Sequence, residues 1–92
     1  MDILGVDYGE KYVGLAVGKA DFGVATPYKT IETEADEDKL KLLEEIVEQE
    51  QIKKIVFGLP LAENREETEM SQQVRKFAKK LQRKVGTLKI GR

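Results

Sequence analysis

Apolar and polar residues alternate with strand periodicity twice near the start of the chain. Ile3, Leu4 and Val6 are interleaved with Gly5 and Asp7, and Val13, Leu15 and Val17 with Gly14, Ala16 and Gly18, so Met1 to Gly18 predicts a β-hairpin. Side chains two apart share a face, which sets Gly5 and Asp7 on one side and Leu4, Val6 and Tyr8 on the other. Gly14, Ala16 and Gly18 also share a face, and glycine within a strand often marks close approach by another backbone or a ligand. Lys19 to Gly23 reads as a turn and Val24 to Ile31 as a third strand. Pro27 cannot donate to a ladder, so that strand belongs at the sheet edge.

The period then changes. Leu40, Leu43, Ile46 and Val47 recur at helical spacing, with Lys39, Lys41, Glu44, Glu45 and Glu48 expected to face out, and predict a helix from about Asp36 to Glu50. Thr33 or Asp36 is the candidate N-cap, and acids in the first turn suit the helix dipole. Ile55-Val56-Phe57 is a short continuous apolar run ended by Gly58-Leu59-Pro60, the pattern of a fully buried central strand. Asn64 with Glu67 three residues on resembles a capping box. Met70, Val74, Phe77, Leu81 and Val85 then predict a long amphipathic helix whose apolar stripe is core, stopped by Gly86. Thr87 to Ile90 reads as a last strand, with Leu88 and Ile90 on one face.

A strand that follows a helix that follows strands implies a right-handed crossover and a parallel partner, most simply the first strand. In open α/β sheets ligands bind beyond the carboxyl ends of the strands. Parallel pairing would bring Asp7 and the Gly58 loop to that same end.

Composition narrows the chemistry. The 92 residues contain no cysteine and no histidine, which removes disulfides, thiolate and imidazole metal sites, and Cys/His or Ser/His catalysis from this chain. Any metal must be held by oxygen. No apolar run approaches membrane-span length and no leader-like segment precedes the first strand, so a soluble cytoplasmic protein without a membrane partner is expected. Ninety-two residues suffice for a single domain over residues 1–92.

The net charge of −1 conceals an asymmetry: nine acids against Lys39 and Lys41 between Glu32 and Glu50, and eight Lys or Arg with no acid after Glu69. Such a basic segment is compatible with a surface that meets phosphates, and equally with a solvated helix face.

Asp7 is the residue of most chemical interest. An Asp-x-Gly turn is ordinary turn chemistry, and Tyr8-Gly9-Glu10-Lys11 reads as a plain loop on that account. Against this, Asp7 closes the apolar run Ile-Leu-Gly-Val, and a carboxylate in such surroundings is costly unless paired or bound to a metal.

Ile3-Leu4-Gly5-Val6-Asp7-Tyr8-Gly9-Glu10-Lys11, Val13-Gly14-Leu15-Ala16-Val17 and Ile55-Val56-Phe57-Gly58-Leu59-Pro60-Leu61 together resemble the RuvX (YqgF) family. The likeness extends through Glu67-Thr68-Glu69 and Val74-Arg75-Lys76-Phe77-Ala78. That family is associated with Holliday junction resolution and with trimming of precursor 16S rRNA. The resemblance implies a ribonuclease H-like α/β fold, a mixed five-stranded sheet of order 3-2-1-4-5 with helices packed on it. It implies a Mg²⁺- or Mn²⁺-dependent nuclease acting on structured nucleic acid, branched DNA or precursor rRNA. Asp7 would be the metal-binding catalytic carboxylate. Gly5, Gly9, Gly58, Leu59 and Pro60 would shape the active-site loops, and Lys11, Arg75, Lys76, Lys79, Lys80 and Arg83 would contact phosphates.

Family members continue past the fifth strand into an Asp-Glu-Arg-Leu-Thr motif and a helix bearing a further acid, whereas here Lys89-Ile90-Gly91-Arg92 closes the sequence. The C-terminal part of the family fold is therefore expected to be missing. Two-metal hydrolysis needs several carboxylates around its cations. Glu10 and Glu63 are the nearby candidates to assist Asp7, although glutamates in turns are usually just solvated. Little or no hydrolysis is expected from this chain, and a nonenzymatic module binding nucleic acid or a partner chain is the alternative. The glycine-bearing hairpin is also similar to the phosphate-binding hairpin of the actin and sugar kinase superfamily, which needs two large lobes. A sheet with one face uncovered would favour a homodimer.

Overall fold

A computed structural model of the chain describes residues 2–19, 25–58, 67–86 and 89–91. Alternation in the first segment does what period two dictates. Strand β1 (Ile3–Asp7) pairs antiparallel with β2 (Tyr12–Gly18), Leu4 opposite Val17 and Asp7 opposite Gly14. Leu4, Val6 and Tyr8 are buried with Val13, Leu15 and Val17, while Asp7 is exposed on the other face. Strand β3 (Ala25–Glu32) pairs antiparallel with β2 and forms one edge of the sheet. Its register slips where Leu15 faces Lys29 but Ala16 faces Pro27, so Tyr28 is the extra residue of a bulge. The edge position and the bulge are both places where a strand tolerates proline.

Helix α1 (Asp36–Gln49) carries the chain across to β4 (Lys54–Phe57), which pairs parallel with β1. Helix α2 (Glu69–Val85) then leads to β5 (Lys89–Gly91), parallel to β4. The five-stranded order is β3-β2-β1-β4-β5, the mixed ribonuclease H-like sheet that the sequence predicts. Leu40, Leu43 and Ile46 of α1 and Val74, Phe77 and Leu81 of α2 join the buried residues of β1, β2 and β4 in one cluster. Both helices therefore cover the same face of the sheet. Among the described residues, no helix is long and apolar enough to cross a membrane.

Several details differ from the sequence reading. Ala35 caps α1 without a side-chain hydrogen bond; Thr33 Oγ1 accepts from the Ala35 N–H at 3.2 Å instead, and Asp36 lies inside the first turn. Lys39, expected on the solvent side, is only 1% exposed, because it stands one turn before Leu43 and its stem runs along the apolar stripe. Helix α2 is capped by Thr68, whose side chain accepts from the Ser71 N–H at 3.0 Å while Ser71 Oγ accepts from the Thr68 N–H at 2.8 Å. Ser71 therefore takes the reciprocal role predicted for Glu67. Strand β4 is buried on one face only: Ile55 and Phe57 enter the core, and Val56 is half-buried on the uncovered side. Val24, Asn64, Thr87 and Leu88 lie outside the described residues.

Gly86 ends α2 with φ +65°, a left-handed conformation that glycine adopts without steric cost, and its N–H donates to Gln82 O at 3.1 Å. Phe77 is the central side chain of the core, its ring 4.7 Å from that of Tyr8 and 6.1 Å, edge-on, from that of Phe57. Phe77→Ala should lower the free energy of unfolding by about 3–5 kcal/mol. Loss of the α2 cap in Thr68→Ala should cost about 1 kcal/mol. Urea denaturation of the two variants would check the contrast, and similar midpoints for both would contradict this picture of the core.

Candidate active end of the sheet

Asp7 is the last residue of β1, and its neighbours are set by two pairings. Antiparallel pairing puts Gly14 beside it, and parallel pairing of β1 with β4 brings the Gly58 N–H to Val6 O at 3.1 Å. Asp7, Gly5, Gly14, Ala16, Val56 and Gly58 line one shallow trough on the uncovered face of the sheet, with Pro27 and Thr30 on its β3 side. The Asp7 and Gly58 positions thus converge at one end of the sheet, as the topology predicts. Leu59, Pro60 and Glu63 lie outside the described residues.

The glycines have different reasons. A Cβ added at Gly9 would stand 2.5 Å from the Tyr12 carbonyl oxygen, so the turn between β1 and β2 closes only with glycine there. A Cβ at Gly5 would meet nothing closer than Ala16 O at 3.8 Å, and one at Gly58 nothing within 4 Å. Neither is required by internal packing of the described residues, and their effect is to keep the trough floor bare.

Behind the trough, on the helical side, stands a polar cluster that the sequence reading did not find. Lys39 Nζ donates to Glu10 O at 2.6 Å and to Asp36 Oδ1 at 3.1 Å, and lies 4.7 Å from the centroid of the Tyr8 ring. Tyr8 Oη donates to the same Asp36 oxygen at 2.8 Å. Burial pushes the Tyr8 phenol well above its ordinary range, reinforced by the bond to Asp36 and by the charges of Asp36 and Glu10. Burial pushes the Asp36 carboxyl up, but hydrogen bonds from Tyr8 and Lys39 and the charges of Lys39 and Lys80 outweigh it and leave the group below its ordinary value. The available signal is spacing: Lys39, Leu43 and Ile46 fall on one helical face, and the period of β1 puts Tyr8 on the core side.

The predicted phosphate contacts are divided. Lys11 is exposed at the end of the Asp7 turn, its Nζ 5.6 Å from the centroid of the Tyr12 ring. The basic residues of α2 lie on the helical face, opposite the trough. Lys76 and Lys80 share a cleft with Tyr8 and Glu10, whereas Lys80 and Arg83 also border a groove shared with Asp36, Glu37 and Asp38 of α1. Arg75 pairs with Glu67. The Ser71 hydroxyl first, and then Arg75, hold the Glu67 carboxyl below its ordinary value against the opposing effect of burial.

No described residue donates a hydrogen bond or an ion pair to the Asp7 carboxylate. Among the described residues no group of three or more carboxylates is placed to hold a metal ion, and Glu10 completes no such group with Asp7.

Asp36 makes stability depend on pH. Its folded value is lowered, so its contribution is present above about pH 4, where the unfolded group is ionised, and is lost as pH falls through the folded value. Asp36→Asn should therefore lower stability at neutral pH and flatten the acid limb of the stability curve. Superimposable acid limbs in denaturant titrations of the two proteins would remove Asp36 from that dependence.

Comparison with known proteins agrees with this fold. The family model described as "RuvX: Holliday junction resolvase" matches residues 1–91. A protein of Maridesulfovibrio salexigens named "Putative pre-16S rRNA nuclease" is 42% identical over 85 residues, covering 92% of this chain and 63% of that protein. Relatives of the same name from Methylobacillus flagellatus and Dictyoglomus thermophilum are 38% and 36% identical, covering 87% and 94% of this chain and 55% and 62% of theirs. The chain thus spans little more than half of the length of these relatives. A Bacteroides thetaiotaomicron protein with an actin-like ATPase fold and unknown function superposes with a TM-score of 0.60 at 9% identity, over 98% of this chain and 32% of that one. That likeness concerns the fold alone. Match over nearly every residue, motifs on both strands of the parallel pair and the observed strand order lead to one assignment: the chain belongs to the RuvX family.

Proposed function

We propose that the chain contributes to a nuclease of structured nucleic acid, precursor 16S rRNA or branched DNA, with Asp7 at the reacting end. The observation that carries this reading is the exposed Asp7 carboxylate beside Gly58, over a trough whose floor is made of small residues. The names of the relatives suggest precursor 16S rRNA, and the description of the family model suggests a DNA junction. Asp7 would hold Mg²⁺ or Mn²⁺, and magnesium accepts one or two carboxylates when water and substrate phosphates complete its shell. A bound cation would polarise a phosphate oxygen. Asp7 anchors, the bare floor lets a sugar-phosphate backbone approach, and Lys11 at the end of the Asp7 turn attracts it. Lysine and arginine contacts to phosphate confer affinity without base specificity, so binding should weaken steeply with salt.

A second reading, a binding module without hydrolysis, is favoured by the solitary carboxylate among the described residues. Comparison of this protein with Asp7→Asn on branched DNA and precursor rRNA, with Mg²⁺ or Mn²⁺, separates the two. We expect salt-sensitive binding by both and little cleavage by either. Robust cleavage abolished by Asp7→Asn would establish catalysis and displace the binding-only reading; absence of binding by both would overturn the proposal.

The helices cover one face only, so association of two copies through the trough face belongs to the same proposal. Tyr12, 50% exposed, is the exposed large hydrophobic of the described residues and lies on that face. Sedimentation should show a dimer that dissociates on dilution, and a strict monomer at every concentration would exclude it.

A further inference from the structure

Lys39 is a buried cation in a chain with other ways to fill the space. Removing an ammonium group from water is costly, and only good geometry recovers the cost. Three partners do so here: Asp36 from its own helix, the face of the Tyr8 ring, and the main-chain carbonyl of Glu10 at 2.6 Å. An apolar side chain of similar volume would serve the core as well or better. What it could not do is reach the Glu10 carbonyl, which belongs to the turn that follows Asp7.

That turn has a second tether from the same region, since the Thr33 N–H donates to Lys11 O at 2.9 Å. Thr33 precedes α1 and Lys39 lies in its first turn and a half. The carbonyls of two consecutive residues, Glu10 and Lys11, are thus held from one side of the molecule. Gly9, whose position admits no Cβ, closes the other end of the same turn.

We infer that Lys39 is a positioning residue, which through the Glu10 carbonyl fixes the Tyr8–Lys11 turn and so sets where the Asp7 carboxylate stands over the trough. This deepens the reading of Asp7 as a cation-holding carboxylate and rests on it for its functional consequence. Tyr8 and Asp36 hold the ammonium in place and do not themselves reach the turn carbonyl.

Nuclear magnetic resonance on the whole chain tests it without relying on cleavage. In the unaltered protein the Lys39 ammonium protons should exchange with solvent at least tenfold more slowly than those of exposed lysines; exchange as fast as theirs would overturn the clamp without any variant. In Lys39→Met, close in volume and uncharged, amide exchange at Glu10 to Tyr12 should accelerate about tenfold while that at Val74 and Leu81 stays unchanged. Mn²⁺-induced broadening of Asp7 and Gly58 should need about tenfold more metal. Unchanged turn exchange in Lys39→Met would overturn the inference. A loosened turn with an unchanged Mn²⁺ titration would make Lys39 merely structural, which also overturns it. Failure of the unaltered protein to show any broadening at Asp7 would instead sink the metal reading, and with it the functional half of the inference, while the exchange comparison still decides the clamp.

Discussion

Parallel pairing of β1 with β4 is the constraint on which the rest of the structure depends. An antiparallel β4 would carry Gly58 to the opposite end of the sheet from Asp7, and the trough would lose one wall. The pairing is parallel because α1 returns the chain across the sheet before β4 begins, the ordinary consequence of a crossover helix packed on one face. The length of that helix and its apolar stripe therefore determine what stands beside the Asp7 carboxylate, although neither end of α1 touches it. Position along the chain and position in the site are linked through topology.

The same helix acts on the site more directly. Its N-terminal turn supplies Asp36 and Lys39, and these bind Tyr8 and the Glu10 carbonyl, the residues immediately after Asp7. The acidic character of α1 and the basic character of α2 look on paper like two unrelated surfaces. In the fold they border one groove, with Asp36, Glu37, Asp38 and Glu44 on one side and Lys80, Arg83 and Lys84 on the other. Part of the positive charge of α2 is therefore compensated within the chain.

Most of the architecture was legible in the pattern of the chain. Period two in the first strands, period 3.6 in the helices and the Pro27 edge signal each correspond to an observed element, because each reflects a single local cause. The parts that were not legible involve two causes at once. Lys39 reads as solvent-exposed by residue type and as core by spacing, and its partners are a ring and a carbonyl 31 and 29 residues away in sequence, a pairing only the fold creates. Val56 reads as core within a continuous apolar run, yet half of its surface belongs to the uncovered face. The α2 cap moved from Asn64 to Thr68 because Ser71 can do what a glutamate does in the usual box, and the sequence offered both choices.

The glycines distinguish a structural from a functional reason for the same residue type. Gly9 is demanded by its own chain, since any side chain there would collide with the Tyr12 carbonyl. Gly5 and Gly58 have room for a methyl group and lack one. Glycine within a strand forfeits roughly 0.5–1 kcal/mol relative to alanine, and a marginally stable chain of this size gains nothing internally by that sacrifice at Gly5. The bare floor beside an unpaired carboxylate is explained by something that approaches from outside the described residues, and a sugar-phosphate backbone or a second polypeptide segment both meet that requirement. On the proposed reading, a bridging cation would give Asp7 a reason to remain exposed.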